Sequence, residues 1–96
     1  MASLQPQSVT FCVYGPIERD DLPGLCTRIG GLFRASEARV AFCDVTGIAP
    51  DAVTVDALAR LQLAARRFGC TVRLRHASPE LLRLVAFMGL EDVLPE

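Results

Sequence analysis

Residues 40–47 read VAFCDVTG, an apolar run that ends in a turn signal, and this stretch decides the fold. Residues 40–45 do not alternate between apolar and polar side chains, as a strand with one solvent-exposed face does. Such continuous runs are typical of strands covered on both faces, as in the middle of a parallel sheet. Thr46-Gly47 favours a turn directly afterwards. We therefore predict a central strand over residues 40–45 that is buried on both sides.

Strands and helices alternate on either side of this run. Residues 8–14 (SVTFCVY) are rich in β-branched and aromatic side chains and end at a Gly-Pro turn, so they predict a strand. Residues 71–75 (TVRLR) alternate, which predicts a strand with one covered face. Apolar residues at helical spacing predict helices over residues 21–33 and about 53–68. A third helix begins at Ser78-Pro79-Glu80, runs to Met88 and stops at Gly89.

The order strand–helix–strand–helix–strand–helix predicts an α/β fold. Its mostly parallel central sheet would carry right-handed crossover helices. The 96 residues suit a single domain over residues 1–96, in which residues 1–7 form a tail or a short edge strand.

The helical stripes predict which side chains face the core. On the second helix the apolar stripe consists of Ala57, Leu58, Leu61, Ala64, Ala65 and Phe68. On the third helix the inward residues are Leu81, Leu84, Val85 and Met88. Phe87 lies off that stripe, so an exposed aromatic anchor is predicted there.

Composition excludes several classes of function. With a net charge of −1, the chain has no positive electrostatic field that would attract nucleic acid. No apolar stretch approaches the ~20 residues that span a bilayer, so direct membrane insertion is not expected. The start MASLQPQSVT has neither the basic end nor the apolar run of a signal peptide, which favours the cytoplasm. Four cysteines without a C-x-x-C pair predict free thiols and no metal site.

Three segments together resemble the STAS family, the sulfate transporter and anti-sigma factor antagonist domains. Residues 43–48 (CDVTGI) are similar to its strand-end signature of Asp, an aliphatic residue, Ser or Thr, and Gly. Residues 51–58 (DAVTVDAL) lie where the family carries Asp-Ser-Ser-Gly-Leu-Gly-Ala-Leu, and residues 78–90 resemble its last helix with a closing Gly-Leu. The resemblance runs from about residue 9 to residue 95 and implies the STAS fold.

The resemblance also implies a function, with one departure. Bacterial antagonists of this family bind an anti-sigma factor kinase, which phosphorylates the serine after the Asp. Asp51 matches that Asp, but Ala52 stands at the serine position and Val53 follows it. No phosphorylation is therefore expected, and Thr54 is only a weak candidate because it carries the one nearby hydroxyl.

The predicted function is accordingly a protein-binding regulatory module that is not an enzyme and needs no cofactor. The partner would be an anti-sigma factor kinase or a related ATPase-fold protein. The predicted partner-binding residues lie on the loop 49–53 and the second helix: Asp51, Ala52, Val53, Thr54, Asp56, Arg60 and Leu63. Capping of the helix by Asp51 or Thr54, and a solvated arginine face, remain structural alternatives.

Two other functions stay open. The chain is also compatible with a STAS subunit that docks onto the cytoplasmic ATPase of a membrane transport complex. The third possible function is that of a nucleotide-binding domain. The sequence argues against it, because it has no glycine-rich phosphate loop. Asp44, at the end of the central strand, is predicted to stabilise the following turn rather than to act as a base. His76 is predicted to face solvent.

Overall fold

The structure, a computed structural model, describes residues 8–13, 17–36 and 38–96. The predicted tail or edge strand over residues 1–7 lies outside the described residues, as does residue 14, the last of the first predicted strand.

Three parallel strands form one sheet in the order β1-β2-β3. They are β1 (Ser8–Cys12), β2 (Val40–Asp44) and β3 (Thr71–Arg75). In the middle of the sheet Thr10 pairs with Phe42, which pairs with Arg73. The prediction of an α/β fold with a parallel central sheet and crossover helices is thereby confirmed.

The second and third helices begin and end within one residue of their predicted bounds, whereas the first, predicted over residues 21–33, continues to Ser36. They are α1 (Leu22–Ser36), which follows a 3₁₀ turn, α2 (Ala52–Arg67) and α3 (Pro79–Phe87). The hydroxyl of Ser78 accepts a hydrogen bond from the amide of Leu81 at 3.1 Å, which caps α3. Gly69 and Gly89 follow α2 and α3 with φ of +71° and +74°, a conformation that side chains other than glycine rarely adopt.

The helices cover one face of the sheet. Phe11, Cys43 and Leu74 from the three strands are buried there, and the ring of Phe33 on α1 meets Phe11 edge-on at 5.9 Å between centroids. α2 lies between α1 and α3 and contacts both. The side chains buried between this face and the helices form the hydrophobic core that stabilises the fold.

The other face of the sheet is open in the described part of the chain. On β2 the alternate residues Val40, Phe42 and Asp44 are half-exposed, whereas Ala41 and Cys43 are fully buried. The prediction that residues 40–45 form a strand covered on both sides is therefore wrong about its second face. The cause is that the three helices of the described chain all pack on the same face.

The outer edge of β3 is closed by a side chain and by the last residues of the chain. The amide of Gln62 on α2 donates to the carbonyl of Val72 at 2.9 Å and accepts from the amide of Val72 at 2.8 Å. The next outward-facing amide, that of Leu74, donates to the carbonyl of Pro95 at 2.8 Å. Gln62 also donates to the carbonyl of Val93 and so ties this segment to the helix.

Two side chains of the predicted core stripes lie elsewhere. Phe68 is 41% exposed and lies beside Arg34, whose guanidinium carbon is 5.5 Å from the ring centroid. Met88 is 38% exposed. Both residues lie just past the last residue of their helix, where the chain no longer follows the helical spacing that predicted their burial. Among the described residues, no helix has the length and apolar character required to cross a membrane.

Candidate partner-binding site

The connection from β2 to α2 starts with a turn that Asp44 organises. One carboxylate oxygen of Asp44 accepts hydrogen bonds from the amide and the hydroxyl of Thr46, at 2.9 and 2.5 Å. The other carboxylate oxygen lies 3.3 Å from Nδ1 of His76, whose side chain is 65% exposed. The turn role predicted for Asp44 and the exposure predicted for His76 are confirmed. The contact between the two residues was not predicted.

These contacts favour the charged form of Asp44. The hydroxyl of Thr46 is the main cause that lowers the pKa of Asp44 below its usual value, followed by the Thr46 amide and with a smaller contribution from His76. A carboxyl with a lowered pKa contributes stability above its unfolded-state pKa and loses that contribution as the pH falls through the folded value. The turn is therefore expected to loosen in acid.

We expect Thr46→Val to raise the pKa of Asp44 towards its usual value, because valine keeps the amide but removes the hydroxyl. An NMR titration of the Asp44 carboxyl carbon measures this change. Thr71→Val, at an exposed position on β3, serves as the control and should leave the titration midpoint in place. An unchanged midpoint in Thr46→Val would show that the hydroxyl does not hold the carboxylate.

The first turn of α2 follows this loop. Asp51 caps the helix, since its carboxylate accepts a hydrogen bond from the amide of Thr54 at 2.8 Å. Capping by Asp51, one of the structural alternatives, is thus confirmed, and the exposed residue also remains available to a partner. Ala52 is exposed and Val53 is half-buried. The predicted loop is therefore accessible up to the start of the helix.

Thr54 requires a correction. It was expected on the partner-binding surface, but its side chain is fully buried, and its hydroxyl has no hydrogen-bond partner. Thr54 is the third residue of α2 and lies, with Val55, on the buried side of the helix. A buried hydroxyl is inaccessible to a kinase, so Thr54 is removed from the candidate residues for both binding and phosphorylation.

The outer side of α2 carries the remaining predicted residues. Asp56 and Arg60 form an ion pair one turn apart, with Nε to Oδ2 at 3.0 Å. Leu63, the next residue along this side, is 59% exposed. Surface pairs of this kind stabilise a helix by only about 0.3–0.5 kcal/mol. The pair is therefore available for exchange with charges of a partner.

The structure adds α3 to this site. Phe87 is 88% exposed, in agreement with the prediction of an aromatic off the inward stripe. Pro50 of the β2–α2 loop lies beside α3, and a shallow groove runs between them. The groove is lined by Pro50, Glu80, Arg83, Leu84, Ala86 and Phe87. The sequence held no signal for this proximity, because residues 50 and 87 are distant in the chain and line one groove only in the folded structure.

The cysteines are all free. Burial, with smaller contributions from Asp44 and Cys12, raises the pKa of the Cys43 thiol to about 12, and burial also raises that of Cys70. Such thiols are poor nucleophiles. Within residues 8–13, 17–36 and 38–96, no cluster of three or more metal-ligating side chains occurs.

Comparison with family models finds none that matches this sequence, and comparison with curated proteins likewise finds no match.

Proposed function

We propose that this chain is a protein-binding regulatory module of the cytoplasm, similar to the anti-sigma factor antagonists of the STAS family. Its binding surface, called here the loop–α3 surface, consists of residues 49–53 together with Phe87 and the groove beside it. The partner is an anti-sigma factor kinase or a related ATPase-fold protein. Without a serine at Ala52, binding is not released by phosphorylation there.

The observation that carries this proposal is the exposed ring of Phe87 beside Pro50. Large aromatic side chains are rarely left this exposed, and they are enriched among the residues that dominate protein interfaces. Glu80 and Arg83 flank the groove and supply a charged rim, while Leu84 and Ala86 supply apolar area. An apolar centre with a polar rim is the usual arrangement of an interface.

The cavity at the end of β1 supports a binding module over a nucleotide-binding domain. This cavity of about 640 Å³ lies at the carboxyl end of the strand, where parallel sheets commonly bind ligands. Its charged lining residues are Asp20, Asp21 and Arg28. Two carboxylates against one guanidinium disfavour a phosphate group through charge repulsion.

The test is affinity capture of a partner with the wild-type chain, followed by binding measurements on variants. We expect a captured protein with an ATPase fold, and Phe87→Asp should weaken its complex at least about tenfold, because the aromatic anchor is lost and a charge must be desolvated. Asp56→Arg tests whether the outer side of α2 extends the surface. Transport-complex subunits in the captured material would favour the transport role instead.

A matched control is Ala35→Asp, which introduces the same charge at an exposed position of α1. This variant should bind the partner as the wild type does. Equal affinity of the Phe87→Asp variant and the wild type would remove Phe87 from the interface and contradict the proposed surface.

A further inference from the structure

The open face of the sheet is a second surface, separate from the loop–α3 surface. Sheets built only from parallel strands almost always have both faces covered. Here the uncovered face presents three rows of side chains across the strands. The rows are Ser8–Val40–Thr71, Thr10–Phe42–Arg73 and Cys12–Asp44–Arg75, in order from β1 to β3.

This face combines an apolar centre with cationic side chains along one edge. Val40 and Phe42 on the middle strand are half-exposed. The guanidinium carbon of Arg75 lies 4.0 Å from the centroid of the Phe42 ring, a cation–π contact that keeps the charge over the sheet. Arg73, on the same strand, donates to the main-chain oxygen of Glu96.

Neither arginine has an acidic side chain as its partner among the described residues. The ion pairs there join Arg60 to Asp56 and His76 to Asp44, and no described Asp or Glu side chain lies within 4.0 Å of Arg73 or Arg75. Asp44, the one acid on the face, is already engaged by Thr46 and His76. The face therefore presents the guanidinium of Arg75 to an incoming carboxylate. Arg73, which already donates from Nε and from one terminal nitrogen to the main-chain oxygen of Glu96, keeps its remaining N–H groups for a second carboxylate.

We propose that the open face binds an acidic amphipathic helix of a partner protein. The apolar side of such a helix would cover Val40 and the part of the Phe42 side chain that Arg75 leaves exposed, and its flanking carboxylates would pair with Arg73 and Arg75. A helix laid on this face supplies the layer that a parallel sheet otherwise lacks. The proposal does not depend on the loop–α3 surface and is tested separately from it.

Two other occupants fit the face less well. Residues 1–7 (MASLQPQ) contain no acidic side chain, so they offer no counter-ion to the arginines. Single-stranded nucleic acid binds to sheets by stacking bases on open aromatic rings along a positive groove. Arg75 already covers the Phe42 ring, and a net charge of −1 provides no general attraction for phosphates.

The probe is a synthetic peptide of about five helical turns, with leucine at positions i, i+3, i+4 and i+7 and glutamate beside this stripe. A second peptide carries glutamine in place of every glutamate, and a fluorescent thymidine oligonucleotide serves as the nucleic-acid probe. Binding is followed by fluorescence anisotropy, and the site is located by amide chemical shifts in NMR spectra of the full chain.

We expect the acidic peptide to bind at least about tenfold more tightly than its glutamine analogue, with shifted amides on β1, β2 and β3. Arg75→Glu should weaken this binding by about tenfold or more. The matched control Arg66→Glu, at an exposed position of α2, should bind as the wild type does. Phe87→Asp should also leave the peptide affinity unchanged, which separates this surface from the loop–α3 surface.

Several results would overturn the proposal. Equal affinities of the two peptides, or peptide-induced shifts confined to α3, would show that the open face does not select an acidic helix. Tighter binding of the oligonucleotide than of the acidic peptide would assign the face to nucleic acid. Nuclear Overhauser contacts between residues 1–7 and the Phe42 ring in the free chain would show that the face is filled by the chain itself.

Discussion

We expect Gln62→Leu to lower the free energy of unfolding by about 3 kcal/mol. The side chain of Gln62 is fully buried and makes three hydrogen bonds, two with the backbone of Val72 and one with the carbonyl of Val93. Leucine fills a similar volume but offers neither donor nor acceptor. Each buried backbone group that loses its partner costs about 1–3 kcal/mol, and the added apolar area offsets part of that cost.

Urea denaturation followed by circular dichroism measures this loss. Hydrogen exchange supplies a local readout, because the amide of Val72 loses its acceptor and should exchange faster than its neighbours in β3. Arg66→Leu places the same residue at an exposed position of α2 and should change stability by less than about 0.5 kcal/mol. A Gln62→Leu variant as stable as the wild type would mean that water or a shifted strand satisfies the edge of β3.

The second large effect is expected from Leu81→Ala, at about 3 kcal/mol. Helix α3 has nine residues and only two that are buried, Leu81 and Val85. Truncation of a fully buried leucine removes its apolar transfer energy and leaves a cavity, a combination that costs about 2–5 kcal/mol. A helix this short has little stability of its own, so it depends on this anchor.

Leu63→Ala is the matched control, since it makes the same chemical change where the side chain is 59% exposed. It should cost less than about 1 kcal/mol, and thermal or urea denaturation of the two variants compares them directly. Similar losses for both leucines would contradict the packing of α3 on the core. Because α3 carries Phe87, we also expect Leu81→Ala to weaken binding at the loop–α3 surface, in proportion to the population in which α3 is detached.

The positions of the proposed binding residues were only partly predictable from the sequence. Ala52 and Asp51 could be placed at the start of a helix because caps are local features. The burial of Thr54 could not be predicted, since helical spacing shows which residues share a side but not how far the core extends around the helix. Pro50 and Phe87 line one groove although they are distant in the chain, and a single sequence carries no signal for that proximity.

The sequence by itself determined the order of the elements, the parallel α/β class and most helix boundaries. These follow from signals within a few residues of one another: the cap at Ser78, the glycine stops at Gly69 and Gly89, and the alternation in β3. Tertiary structure alone decided which face of the sheet stays open and how the edge of β3 is closed. An apolar run such as residues 40–45 has the same sequence pattern whether one or both faces of its sheet are covered. A polar residue such as Gln62 becomes part of the core only when a strand edge lies within hydrogen-bonding distance of its amide.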